Sequence, residues 1–233
     1  LYTAITARGT RVFMQGFRPL RVKSVEVFFD EGTGSAAEWG STGRVFISKY
    51  VNRSNTDIYE YYLDGEKIYG MPTPKLRESD RITKNSAIET EPALSPNGRY
   101  LALISDRTGS PQVYVRDMQR KKLTRITEKG NYNVSPSWSP DGKFIAYASK
   151  RSGVSSIYRI DPKSKEENRV TPKNMNAESP TWSPDGSMIA FSGKKGGDWK
   201  IYYSLSSGGQ AVRLTNSKTG LQETMPSWGP SLR

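Results

Sequence analysis

Apolar and polar side chains alternate along this chain in short bursts, and the bursts recur in matched sets. Arg44-Val-Phe-Ile-Ser-Lys49, Arg99-Tyr-Leu-Ala-Leu-Ile-Ser105, Lys143-Phe-Ile-Ala-Tyr-Ala-Ser149 and Ser187-Met-Ile-Ala-Phe-Ser192 each have the period of two expected of a half-buried β-strand. Across a polar loop, each is followed by a second strand-sized stretch: Asp57-Ile-Tyr-Glu-Tyr61, Gln112-Val-Tyr-Val115, Ser156-Ile-Tyr-Arg-Ile160 and Lys200-Ile-Tyr-Tyr203. A brief third stretch closes each set, at Arg81-Ile-Thr83, Arg125-Ile-Thr127, Arg169-Val-Thr171 and Arg213-Leu-Thr215. An arginine at the same place in each outer strand fits an edge blunted by charge. No apolar run nears the ~20 residues that a membrane-crossing helix needs.

A short strand and a tight turn precede each set. The strings are Pro92-Ala-Leu-Ser-Pro-Asn-Gly98, Pro136-Ser-Trp-Ser-Pro-Asp-Gly142 and Pro180-Thr-Trp-Ser-Pro-Asp-Gly186, with a truncated Pro226-Ser-Trp-Gly-Pro230 near the end. Proline presets φ at the first central position, Asp caps its own backbone, and Gly accepts positive φ. The anchors Leu94, Trp138, Trp182 and Trp228 stand 44, 44 and 46 residues apart, and Trp39 in Ala37-Glu-Trp-Gly-Ser-Thr-Gly43 marks a degenerate copy 55 residues upstream of Leu94. A repeat of roughly 40–45 residues with four strands per repeat specifies an all-β propeller. The repeats span about 36–83, 89–127, 134–171 and 178–215 of a single domain, 1–233.

The string Pro-x-Trp-Ser-Pro-Asp-Gly-Lys-x-Ile-Ala-Tyr, followed by a basic loop, Ile-Tyr and Arg-Leu-Thr, resembles the repeat of TolB-type β-propellers. The match is full over 138–171 and 182–215. It holds over 89–127 with Leu94 for Trp and Asn97 for Asp, and only in spacing over 36–83. The resemblance implies a non-catalytic protein-interaction module, periplasmic or otherwise exported. In that family such a module binds lipoprotein and inner-membrane partners of the Tol–Pal cell-envelope system. TolB proper also has an N-terminal α/β domain, which is not among these residues. The repeat is also compatible with the gating propeller of a prolyl-oligopeptidase-like hydrolase, or with an accessory subunit of an organellar or photosynthetic assembly.

Ring closure follows from the ends. Residues 1–30 hold three strand-like stretches, Tyr2–Thr6, Arg11–Gln15 and Val22–Asp30, and the C-terminus supplies one first strand. Joining 1–35 to 221–233 makes one closing blade and leaves no open sheet edge. The count is then five blades; six, usual in the TolB family, would need 1–35 to hold more strands. Residues 63–79 read as an insertion between third and fourth strands. The chain starts at Leu1 rather than Met, as expected of a processed chain or a piece of a longer one.

Composition narrows the chemistry. With no Cys, disulfides and thiolate metal sites are excluded; with no His, a Ser-His-Asp system cannot be assembled from this chain. No nucleophile elbow, P-loop, metalloprotease helix or EF-hand loop occurs, and Gly32-Thr-Gly34 is too short for a dinucleotide turn. No cofactor or metal site is expected. Asp141 and Asp185 belong to the repeated turn and read as structural.

The net charge of +12 points to an acidic protein partner ahead of nucleic acid, because the cations form no long run. It also leaves room for peripheral membrane association. In four-stranded blades the second-to-third-strand loops share a face with the lead-ins to the first strands. Those loops carry Arg53, Arg107, Lys150, Arg151, Lys194, Lys195 and, where one meets its third strand, Trp199. The lead-ins carry Glu89, Glu91, Glu178 and Glu223. These charges read either as solvated loop residues or as a docking face, a basic rim around carboxylates near a channel mouth, with Trp199 either an aromatic anchor or packed over the neighbouring blade.

Overall fold

The alternation in the sequence becomes antiparallel pairing. A computed structural model of the chain describes the backbone of residues 2–6, 9–14, 25–26, 34–39, 44–52, 54–64, 75–217 and 220–228, with side chains at 44–52, 54–62, 80–217 and 220–228. Arg53, the 65–74 part of the insertion, residues 229–233 and much of 1–35 lie outside them. Strands β1 (Tyr2–Thr6), β2 (Gly9–Met14) and β3 (Val25–Glu26) form a three-stranded sheet. Four four-stranded sheets follow in chain order. The first comprises β4 (Gly34–Trp39), β5 (Arg44–Asn52), β6 (Asn55–Asp64) and β7 (Lys75–Arg81). The second comprises β8 (Glu89–Leu94), β9 (Tyr100–Ser105), β10 (Gln112–Asp117) and β11 (Lys122–Arg125). The third is β12 (Tyr132–Trp138), β13 (Ile145–Arg151), β14 (Val154–Ile160) and β15 (Glu167–Arg169). The fourth is β16 (Asn176–Trp182), β17 (Met188–Lys194), β18 (Lys200–Leu205) and β19 (Val212–Arg213). Among the described residues no helix is long and apolar enough to cross a membrane.

Two sequence expectations change in detail. The 63–79 insertion lengthens a hairpin, because β6 and β7 pair out to Asp64 opposite Lys75. The segment 221–228 forms no strand ladder within the described residues. It is nevertheless shaped like a first strand. The ladder skips between Thr90 and Ala93, Val134 and Ser137, and Glu178 and Thr181. At each skip a non-glycine residue takes positive φ: Glu91 at 50°, Ser135 at 55° and Ser179 at 53°, and Met225 shares the geometry at 56°. A proline follows each of them, which is where a β-bulge tolerates a missing N–H. The left-handed backbone costs about 1–2 kcal/mol each. Hydrogen bonds to the preceding sheet offset it at two sites: Ser135 N–H donates to Glu91 at 2.6 Å, and Met225 N–H to Ser192 at 2.9 Å.

The recurrent turn is a closed hydrogen-bond unit. Gly142 N–H donates to the Ser139 carbonyl at 2.9 Å, the Ser139 hydroxyl to Asp141 at 2.7 Å, and Phe144 N–H to the Ser139 hydroxyl at 2.9 Å. Ser183, Asp185, Gly186 and Met188 repeat the unit, and Asn97 does Asp's work in the second sheet. Asp141 and Asp185 are therefore spent on the turn.

The core lies between sheets. Phe46, Ile58 and Ile82 meet Leu94, Leu101 and Leu103; Val113 and Ile126 meet Trp138, Ile145 and Tyr147; Ile157 and Val170 meet Trp182, Ile189 and Phe191. Successive sheets stack through β4, β8, β12 and β16, and the N-terminal sheet lies against β4. Among the described residues the fourth sheet's next face has no such cover. Leu214 is 56% exposed, whereas its counterparts Ile82, Ile126 and Val170 are 6%, 1% and 1%.

Candidate functional site

The predicted docking face is assembled from the ends of β5, β9, β13 and β17 and the lead-ins to the first strands, and much of its charge is already engaged. Glu89 is fully buried and accepts from Arg107, Ser105 and Asn85. Arg107 also lies over the Tyr114 ring, 5.3 Å from its centroid. In the next sheet Arg151 stacks on Tyr158 at 3.8 Å and pairs with Glu167 at 2.8 Å. Tyr147 donates to the same carboxylate at 2.5 Å. Burial alone would raise the Glu167 carboxyl, but the bonds from Arg151 and Tyr147 outweigh it and hold the group at about 2. Burial, reinforced by Glu167, pushes the Tyr147 phenol upward.

The other lead-in carboxylates differ among themselves. Glu91 is half-buried, and burial raises its pKa against the lowering effect of the Ser135 N–H. Glu223 accepts from Thr215 at 2.6 Å and faces the Lys200 ammonium at 3.6 Å, and its pKa falls, chiefly through the Thr215 hydroxyl. Glu178 is exposed. Of the four carboxylates expected near a channel mouth, Glu89 differs: it sits inside the sheet, and Arg107 folds back over it.

Lys150 and Lys195 stand exposed on this face without an ion pair among the described residues. Lys194 is half-buried and, with Lys200, helps hold the Asp198 carboxyl low, behind the larger effect of the Gly220 N–H. Trp199 is half-buried, and its backbone clamps the C-terminal segment: its N–H donates to Gln222 at 2.9 Å, and its carbonyl accepts from Glu223 N–H at 3.0 Å. Arg53 lies outside the described residues.

A polar ladder beneath the face went unrecognised in the sequence. The residue before each Ile-Tyr or Val-Tyr, namely Asp57, Gln112, Ser156 or Lys200, is buried. The arginine and threonine of the fourth strand serve it. Thr83 donates to Asp57 at 3.0 Å, Thr127 to Gln112 at 2.8 Å, and Arg169 to Ser156 at 2.7 Å. Lys200 instead donates to the Leu221 carbonyl at 2.8 Å. Each arginine Nε also bonds the carbonyl of the threonine two residues on, at 3.2 Å from Arg81, 2.6 Å from Arg125, 2.9 Å from Arg169 and 2.6 Å from Arg213. These arginines brace their own chain rather than blunting an edge. The signal available in the sequence was a polar residue at one fixed place in all four repeats.

Comparison with known proteins agrees with this repeat geometry. TolB from Acinetobacter baumannii superposes with a TM-score of 0.68 at 21% identity, covering 86% of this chain and 48% of that one. A TolB-type protein from Agrobacterium tumefaciens gives a TM-score of 0.69 at 22% identity, over 88% of this chain and 74% of that one. A puromycin-hydrolyzing peptidase from Mycobacterium tuberculosis gives 0.62 at 11% identity, over 82% of this chain and 30% of that one. The chain thus spans about half the length of the Acinetobacter protein. Its sequence matches the TolB beta propeller domain family over residues 2–232, and the chain belongs to that family.

Proposed function

We propose that this chain is a non-catalytic propeller that docks an acidic protein partner through the face bearing Lys150, Lys195 and Trp199. The carrying observation is that Lys150 and Lys195 are exposed and unpaired there, on a chain of net charge +12 without His or Cys. Charge at a rim governs encounter rate and salt sensitivity, and a half-buried Trp governs dissociation. The likeness to TolB supports a periplasmic or otherwise exported setting in which such docking serves an envelope assembly. The likeness to the Mycobacterium peptidase favours a second reading, a propeller that gates a hydrolase domain.

The test is co-precipitation of the native partner with wild-type chain and with K150E/K195E. Arg107 and Arg151 are left intact because they neutralise Glu89 and Glu167. Loss of capture at unchanged melting temperature is expected. Full capture by the variant would move the docking surface elsewhere, and peptidase activity in a longer form of the protein would favour the gating reading.

A further inference from the structure

The outer edges of the first two repeat sheets enclose a groove of about 420 Å³, running from the end of β7 to the β10–β11 turn. Five cationic side chains line it: Arg81, Lys84, Arg107, Arg116 and Lys121. Asp80 is its one acidic lining residue among the described residues. Arg81 and Arg107 are held from behind by Asp57 and Glu89. Lys84, Arg116 and Lys121 have no ion pair or hydrogen bond from their side chains among the described residues. Lys84 and Lys121 are exposed and Arg116 is half-buried.

The repeat supplies an internal control. One repeat further on, 44 residues along the sequence, Lys84 corresponds to Glu128, Lys121 to Lys165, Leu123 to Glu167, and Arg116 to Ile160. There the equivalent positions carry their own counter-charges. Lys165 pairs with Glu128 at 2.6 Å, Lys129 with Glu167 at 3.2 Å, and Arg151 with Glu167 at 2.8 Å. Ile160 is buried. The first groove thus keeps Arg81, Arg107 and Lys121, has Asn85 in place of Lys129, and loses both carboxylates, so that two lysines share a groove where the next repeat has an ion pair. Uncompensated like charge at close quarters is unfavourable, and an incoming anion relieves it.

We infer that this groove is a binding site for an acidic, extended peptide segment of a protein partner, whose carboxylates take the places that Glu128 and Glu167 occupy in the next groove. The inference rests on the protein-docking reading above and moves its principal contact to the side of the ring. A peptide fits the lining better than other polyanions. The cations are strung along a groove rather than gathered on one point, and Ile82 and Leu123 add apolar floor between them. Among the described residues no aromatic side chain lines it, so they offer bases no stacking platform. Arg116 offers a planar fork suited to a carboxylate.

The experiment measures fluorescence anisotropy of a labelled peptide of alternating Glu and Ser with the full chain, against a Gln/Ser peptide, oligo-uridine and phosphatidylglycerol vesicles. Wild type is expected to bind the Glu peptide selectively, and more weakly as salt rises. K84E/K121E should weaken binding about tenfold or more, since it reverses two exposed charges that the fold does not use. K84E alone should weaken binding while melting at or above the wild-type temperature, because it restores an ion pair with Lys121. A residue that only supported the fold would not move the two readouts in opposite directions. The triple variant K84E/R116I/L123E, which copies the next repeat, should bind least.

Absence of wild-type binding, equal affinity in the variants, or tighter binding of oligo-uridine or vesicles through the same lysines would each overturn the inference. Loss of peptide with K150E/K195E and not with K84E/K121E would overturn the groove while leaving the docking face standing. Loss of peptide with K84E/K121E, while K150E/K195E still captures the native partner, would sink the face and keep the groove.

Discussion

The indole N–H of Trp182 donates to the Ser137 carbonyl at 3.0 Å, and Ser137 is the neighbour of Trp138, the same tryptophan one repeat earlier. Trp138 does likewise to the Ala93 carbonyl, beside Leu94, at 3.0 Å. Each anchor side chain thus fills the gap between two sheets and ties them through a main-chain acceptor.

Replacing Trp182 with Phe keeps most of the apolar contact and strands the Ser137 carbonyl. The expected loss is about 1–2 kcal/mol, since a partner is removed from a group shielded from water. Urea titration of W182F against wild type measures it, and an unchanged midpoint would mean that water replaces the indole without cost.

Gly142 and Gly186 sit at φ of 69° and 72°. A Cβ there would meet only Pro96 at 3.7 Å or Pro140 at 3.6 Å, ordinary contact distances, so the difficulty is the backbone and not space. G142V and G186V should each lose about 1–2 kcal/mol. Chemical denaturation of both variants reads this directly, and wild-type midpoints would contradict the turn geometry.

Glu167, held at about 2, gives the protein an acid-sensitive contact. In the unfolded chain a glutamate titrates near ~4.3. The folded state therefore binds fewer protons between these values, and stability from this group is full above the upper one and lost as pH falls through the lower. E167Q should be less stable than wild type near neutrality, and the difference should shrink as pH drops from about 5 towards 2. Melting curves across that window provide the check; a constant difference would show that the carboxylate's charge is irrelevant.

Lys200 is 4% exposed, and its ammonium holds the Leu221 carbonyl and faces Glu223. K200M removes the charge without changing the shape much. It should cost about 1–3 kcal/mol by leaving those acceptors unpaired. Hydrogen exchange should accelerate at Glu223 and Met225 and stay unchanged in β12 to β14. Uniform acceleration would mean that the lysine supports the whole body instead.

The sequence reading joins 221–233 to 1–35 in one closing blade, and Met225 has the positive φ found at the bulge of the first strands. On that reading, deleting residues 224–233 removes the closing strand and leaves a sheet edge unpaired, and the truncated chain should aggregate or unfold less cooperatively. A soluble truncation with an unshifted melting transition would remove the closing strand from the account.

The repeat was legible because its signals are local: period-two alternation, Pro-Asp-Gly, and a tryptophan at fixed spacing each report on a few adjacent residues. The docking face was legible only in outline. Arg107 and Lys150 look alike in sequence, as loop cations next to a second strand, yet Arg107 folds onto Glu89 and Lys150 does not. The difference lies in which side chains come within reach across β8 and β9, a tertiary fact. The groove between the first two repeat sheets was hidden for another reason. Its meaning comes from Lys84 and Leu123 standing where Glu128 and Glu167 stand one repeat later, and that comparison matters only once neighbouring sheets are known to share a cleft.

The tie from Trp182 to Ser137 also runs one way. Trp138 and Trp182 each donate a hydrogen bond backward, to the repeat before, and the residue beside Trp138 offers its carbonyl to the repeat after. An arc built so has a giving end and a receiving end, like a row of hooks and eyes. Trp228 stands at the same place in the repeat, and its indole N–H is buried with no acceptor among the described residues. Sheets tied this way are not interchangeable at their two sides, since one side presents an indole N–H and the other a main-chain carbonyl, and the order of the sheets is thereby given a direction.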